Sequence, residues 1–219
     1  MATYVLVPGG WHGGWYFEPL AQHLRWHGHQ AYAVTLSGVG DRHHLRSAAV
    51  NLDTHIQDVL SLLETEQITD AVLCGHSYGG MVVSGVADRA PERVEAVTYC
   101  DAYLPQDGDS CWSLTSDVYR GLFLANATGD GQNVEPPAGM DPRATSQPLA
   151  TFLQAIQLTG AELPTRRHFV YLSGWSGTPF ASTYERLSQD ATWKVHDLPV
   201  GHNVMRLAGD DLLKILLEV

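Results

Sequence analysis

The chain has 219 residues, with 24 Asp and Glu against 13 Lys and Arg, a formal net charge of −11, and 44% hydrophobic residues. That length and mix suit one domain with a sizeable core, and the acidic balance argues against a nucleic acid or an anionic membrane as partner, because both repel such a surface. No apolar run approaches the roughly 20 residues of a membrane helix, the N-terminus MATYVLVPGG lacks the basic segment of a signal peptide, and Cys74, Cys100 and Cys111 have no metal-ligand spacing, so a reduced, cytoplasmic protein is expected.

Thr3 to Val7 is a short apolar run stopped by Pro8-Gly9-Gly10, which predicts a buried strand. Phe17 to Trp26 has helical spacing, with Phe17, Leu20, Ala21 and Leu24 on one face. Gln30 to Leu36 reads as a second strand. Thr54 to Leu63 reads as a helix, with Thr54 and Gln57 as its capping box. Ala71 to Cys74, a helix over Gly80 to Arg89, and a strand over Val94 to Cys100 follow.

From about 102 to 166 Gly, Pro, Asp and Asn cluster, with scattered aromatics and one helical run, Leu149 to Leu158. Regularity returns with a strand at His168 to Leu172, a helix at Ser182 to Ser188, a strand at Trp193 to Leu198 and a helix at Asp210 to Leu217. Strands alternating with helices predict an α/β fold: a mostly parallel sheet of about six strands, covered on both faces. The irregular segment reads as a cap inserted over the carboxyl ends of the strands, where open α/β sheets bind ligands. Residues 1–219 form one domain on this reading.

Gly75-His76-Ser77-Tyr78-Gly79 fits G-x-S-x-G between a strand and a helix, the context that presents a serine nucleophile at the rim of a sheet. A serine hydroxyl needs a neighbouring base. Among eleven histidines, His202 stands on the loop between the last strand and last helix, where the base of such a site belongs. His76, in the elbow, is expected to point away from the serine. The acid that orients the imidazole is usually found after the strand preceding the histidine strand. Here that loop, Leu172 to Phe180, has no Asp or Glu. Asp101, at the carboxyl end of the strand after the nucleophile, can reach the same histidine; capping the following turn is its other reading.

Two N–H donors are needed for the oxyanion. Tyr78 supplies one and the loop Pro8 to Trp15 the other, with Gly10 first choice and Trp11 next. Trp112, Tyr119, Phe123 and Leu124 of the insertion are candidates for the pocket wall, with Trp11 and Tyr103 at its entrance; plain burial in the cap is the competing reading. No H-E-x-x-H or similar cluster suggests a metal, and no cofactor is expected.

With these residues placed, the chain resembles the α/β-hydrolase superfamily, and within it the group of plant methyl esterases, hydroxynitrile lyases and small bacterial esterases. The resemblance rests on VLVPGGWHGGW (Val5 to Trp15), TLSGVGDRHHL (Thr35 to Leu45), LDTHIQDV (Leu52 to Val59), GHSYGGMV (Gly75 to Val82), YCDAYLPQDGDS (Tyr99 to Ser110) and LPVGHNVM (Leu198 to Met205). It implies hydrolysis of a small apolar or aromatic ester or lactone through an acyl-enzyme on Ser77. Pro8-Gly9 replaces the group's usual His-Gly. The acid is missing from its usual loop, which supports Asp101, a placement shared with some haloalkane dehalogenases. Gly9 and Asn203 stand where the lyases carry threonine and lysine, which disfavours cyanohydrin cleavage. A receptor with little turnover and a lyase or cyclase using the same base remain as alternatives; a homodimer is left open.

Overall fold

The computed structural model describes every residue, Met1–Val219. In chain order the elements are β1 (Thr3–Val7), α1 (Glu18–Trp26), β2 (Gln30–Ala33), α2 (Leu52–Thr65), β3 (Ala71–Ser77), α3 (Gly79–Arg89) and β4 (Val94–Ala102). Then come α4 (Cys111–Leu114), α5 (Asp117–Ala125), β5 (Asn133–Val134), β6 (Gln147–Pro148) and α6 (Ala150–Leu153). The chain closes with β7 (Arg166–Leu172), α7 (Ala181–Leu187), β8 (Lys194–Leu198), α8 (Val204–Leu207) and α9 (Gly209–Leu217).

Six strands form one sheet in the order β2-β1-β3-β4-β7-β8, and every neighbouring pair is parallel. Helices cover both faces, so the central strands are largely apolar and their successive side chains divide between two cores, while the edge strand β8 stays partly exposed. Val5, Val7, Leu73, Val97, Tyr99 and Phe169 face the core made with α2, α3 and α7. Tyr4, Leu6, Val72, Cys74, Ala96, Cys100 and Val170 face the core made with α1 and α9. The residues between β4 and β7 carry only short elements, including the antiparallel pair β5–β6, and their Phe123, Val134, Phe152 and Ile156 join the first core. No helix is long and apolar enough to cross a membrane.

Three local expectations are corrected. The run Leu149 to Leu158 gives a single turn, α6, after which Gln154 becomes extended (ψ 127°). The amide of Gln154 is drawn onto the start of α2, accepting from Asp53 N at 2.9 Å and donating to Asp53 Oδ2 at 2.7 Å, so tertiary bonds override helical spacing. The second strand stops at Ala33 because the chain turns to let Ser37 N donate to Asp58 Oδ2 at 2.6 Å. The capping box of α2 pairs Asn51 with Thr54, one turn ahead of the expected Thr54 and Gln57.

Candidate active site

β3 runs to Ser77, whose φ of 53° is left-handed, and Tyr78 then opens α3. This reversal needs strand, helix and β1 in close approach. A Cβ on Gly75 would stand 2.7 Å from Gly79 O, and one on Gly79 would stand 2.4 Å from Val7 O. Only glycine at both positions lets the elbow close, which is the physical content of the G-x-S-x-G spacing. A left-handed non-glycine residue costs on the order of 1–3 kcal/mol. Ser77, Trp11 (φ 65°) and Asp101 (φ 44°) are three of the four such residues in the chain, and all three lie at this site.

Asp101 is placed by a slip in strand register. His76 pairs with Cys100, but Ser77 pairs with Ala102, so Asp101 is an extra residue bulged out of β4. Bulges re-aim side chains beside active sites. Here the Asp101 carboxylate is turned onto the loop after β8, where Oδ2 lies 2.7 Å from His202 Nδ1. Oδ1 accepts from Leu172 N at 3.3 Å. With Asp101 as a carboxylate, that contact calls for the proton on Nδ1 and leaves Nε2 as the basic nitrogen. Burial pushes the Asp101 carboxyl up, opposed by the Leu172 N–H. Burial, and more weakly His12, pushes the His202 imidazole below its ordinary value. The neutral imidazole donating to the carboxylate is the form these bonds support.

Ser77 and His202 line one cavity of about 680 Å³. They are not hydrogen-bonded to each other in this structure; such bonds tighten when substrate fills a site. The cavity also receives Gly9, Gly10, Trp11 and Tyr78. The Trp11 amide N–H is taken by Gln147 Oε1 at 2.7 Å, which leaves Gly10 as the donor candidate of this loop. The cavity wall on the cap side is Tyr119, Leu122, Phe123 and Phe152, with the Phe rings stacked at 4.6 Å.

A family model described as alpha/beta hydrolase family matches residues 4–214. The chain belongs to the α/β-hydrolase family. A carbendazim hydrolyzing esterase of Nocardioides sp. is 36% identical over 227 residues, covering 94% of each chain. Methylesterase 10 of Arabidopsis thaliana is 35% identical over 106 residues, which span 47% of this chain and 38% of that one. Among solved structures, an extracellular alpha/beta-hydrolase from a Paenibacillus species superimposes with a TM-score of 0.84 at 19% identity, covering 100% of this chain and 98% of its own. A pyrethroid hydrolase superimposes with a TM-score of 0.81 at 19% identity, covering 99% and 96%. At those identities the two structures speak for the fold alone.

Within this α/β-hydrolase, Trp11, Tyr103, Tyr119 and Phe123 line the cavity as expected from the sequence. Tyr103 is buried in the interior and not at the entrance; its hydroxyl donates to Thr115 Oγ1 at 2.9 Å. Trp112 is corrected: α4 turns the neighbouring Cys111 to the cavity, and Trp112 packs behind the wall, its ring 6.4 Å from that of Phe123. Leu124 is likewise outside, exposed on the face of α5 opposite the cavity-lining Phe123. His76 does not turn away from the site. Its ring packs on His202 at 4.5 Å and on Tyr16 at 5.1 Å, and its Nε2 bonds His202 O at 3.0 Å.

Three further residues shape the α/β-hydrolase site without having been singled out in the sequence. Gln147 anchors the Gly10–Trp11 loop from the cap. His55, on α2, is fully buried; it bonds Ser37 O through Nε2 at 2.8 Å, so its Nδ1 accepts the Tyr78 hydroxyl at 2.9 Å. Trp175 lies against His202. No group of three or more His, Cys, Asp and Glu side chains is arranged to hold a metal ion.

Proposed function

We propose that this α/β-hydrolase is a cofactor-independent serine esterase acting on small apolar or aromatic carboxylic esters or lactones. The observation that carries the reading is the 2.7 Å bond from His202 to the bulged Asp101, made at the cavity that also holds the left-handed Ser77. The esterase activity named for the relative matched over nearly its whole length agrees with it.

In this mechanism Ser77 Oγ attacks the acyl carbon and gives its proton to His202 Nε2. The carbonyl oxygen becomes an oxyanion held by the N–H groups of Gly10 and Tyr78. Collapse of that intermediate breaks the ester bond, and the alcohol leaves with the proton from His202. Water then loses a proton to His202 and attacks the acyl carbon; the second collapse returns the proton to Ser77 and frees the acid. Asp101 stabilises the imidazolium in both halves. The cavity's aromatic wall favours apolar acyl or alkoxy groups.

The test is a fluorophosphonate probe followed by p-nitrophenyl acetate. Labelling at Ser77 and nitrophenol release, both abolished in Ser77→Ala, support the esterase. Ligand binding without nitrophenol release supports a receptor, and turnover with no acyl adduct detectable by mass spectrometry supports a lyase or cyclase.

A further inference from the structure

The His202 imidazole packs closely against two flat rings. The His76 ring centroid is 4.5 Å away, with planes 32° from parallel. Trp175 lies at 4.1 Å and 31°. The Trp175 turn is fixed to the His202 loop from behind. Ser173 N donates to Leu198 O at 3.0 Å, Trp175 N donates to Leu172 O at 3.2 Å, and a Cβ on Gly174 would stand 2.7 Å from the carbonyl carbon of Val200. The indole is braced in turn by Tyr119, edge-on at 5.6 Å, and by Phe180 at 6.0 Å.

We propose that Trp175 is a positioning residue for His202, whose indole face holds the imidazole in the Asp101 hydrogen bond and stabilises the imidazolium formed when Nε2 takes the Ser77 proton. The inference rests on the assignment of His202 as the base. A cation over an indole face is attracted by the ring's quadrupole, most strongly where water is excluded. A neutral imidazole gains far less, so the interaction strengthens as charge develops, which is the condition for lowering a barrier. His76, packed on the same imidazole, does not compete for the proton: its burial holds it neutral, and its Nε2 is spent on His202 O.

Asp101 bonds His202 from β4, and the titratable groups that share the cavity with it, besides His76, are His12 and Tyr16 from the segment after β1, Tyr78, Tyr103, Cys111 from α4, Tyr119 from α5, Asp141 and Arg206 from α8. Asp141, on the cap side, is paired with Arg143 at 2.9 Å. A change at Trp175 alters none of these charges, and opening the site to water would by itself raise the His202 pKa, because burial is what holds it down; a fall in the Leu variant therefore reports loss of the indole face.

The experiment compares Trp175→Phe and Trp175→Leu with the parent, by histidine-ring NMR across pH and by the pH profile of kcat/KM for p-nitrophenyl acetate, with His202→Gln identifying the His202 resonances. The parent's His202 ring protons show an upfield ring-current shift that Leu removes and Phe keeps in part. The Leu variant lowers the His202 pKa, moves the acid limb to lower pH and reduces kcat about tenfold, while Phe stays within about threefold of the parent. Equal losses in the Phe and Leu variants, an unmoved His202 titration, or a change confined to KM would overturn the proposal, the last marking Trp175 as a wall of the substrate pocket. Parent-level esterase activity in His202→Gln would overturn both the base assignment and this inference. Ring-current and titration shifts as expected, without esterase activity in the parent, would sink the esterase reading while the positioning role of Trp175 stands.

Discussion

The carboxylate of Asp101 reaches Nδ1 of His202 because β4 carries one residue more than β3 across from it, between the pairs His76–Cys100 and Ser77–Ala102. A strand in regular register would send neighbouring side chains alternately to the two faces of the sheet. The bulge breaks that alternation and, with the left-handed φ of 44°, aims the acid along the strand end toward the loop after β8.

Asp101→Asn is expected to fold and to lose kcat by about 10³–10⁴-fold, because the amide no longer selects the Nδ1–H tautomer or stabilises the imidazolium. Removing the negative neighbour also lowers the His202 pKa, so the residual activity has its acid limb at lower pH than the parent. A pH profile of kcat/KM on both proteins checks both points. Parent-like activity would mean that another carboxylate holds His202.

Much of the fold was legible because central strands such as β1 are apolar runs ended by Pro or Gly, and helices such as α1 show one apolar face, there Leu20, Ala21 and Leu24. Spacing and chain order point to Ser77 and His202, and both line one cavity. Asp101 is reached by elimination from a loop without acids, but the bulge that turns it onto His202 is a register effect and leaves no mark in the sequence. The packing of His76 on His202 is not legible because the pattern of a strand end says nothing of what lies across it; the His202 loop and Tyr16 come from 126 and 60 residues away. Gln147 sits in the two-residue strand β6 and Trp175 in a turn, where partners are chosen by tertiary packing and no periodicity identifies them.

Gln147→Met tests the brace on the Gly10–Trp11 loop, proposed to bind the oxyanion. The Trp11 N–H would lose the Oε1 acceptor at 2.7 Å, and Thr151 Oγ1 would lose its donor at 2.9 Å. A buried donor left unpaired costs about 1–3 kcal/mol, so the urea midpoint falls. With the Gly10 N–H less firmly held, kcat falls by about tenfold or more, as misaimed oxyanion donors act on the transition state. KM should change much less, and a purely structural lesion would leave kcat per folded molecule unchanged.

His55 makes a pH-dependent contribution to stability. Burial lowers its pKa from 6.5 to about 4, because charging it would strand a cation among Tyr78 and Ser37. The unfolded chain takes up a proton as pH falls through 6.5 and the folded one only near 4, so the stabilisation is complete above 6.5 and is lost between 6.5 and 4. The full span corresponds to roughly 3 kcal/mol. His55→Gln cannot titrate and should show a smaller drop in urea midpoint between pH 7.5 and pH 4.5 than the parent. Because the Tyr78 hydroxyl is bonded to Nδ1, the same variant reports whether that anchor steadies the elbow: kcat at pH 8 falls if it does.

Phe123 and Phe152 stack at 4.6 Å, nearly parallel, and both face the cavity, with Trp11 tilted against them at 6.0 and 5.4 Å. Phe123 comes from α5 and Phe152 from α6, so this stack ties two cap elements together beside Gly10. Phe123→Ala removes a ring from the wall and from the core at once. The expected cost is about 3–5 kcal/mol if the space stays empty, read as a lower urea midpoint. A substrate long enough to occupy the space restores the lost contacts. Across p-nitrophenyl acetate, butyrate, hexanoate and octanoate, the chain length giving the highest kcat/KM should therefore move upward in the variant, with the gain in KM more than in kcat. An unchanged chain-length profile would place the acyl group on another side of the cavity, away from this stack.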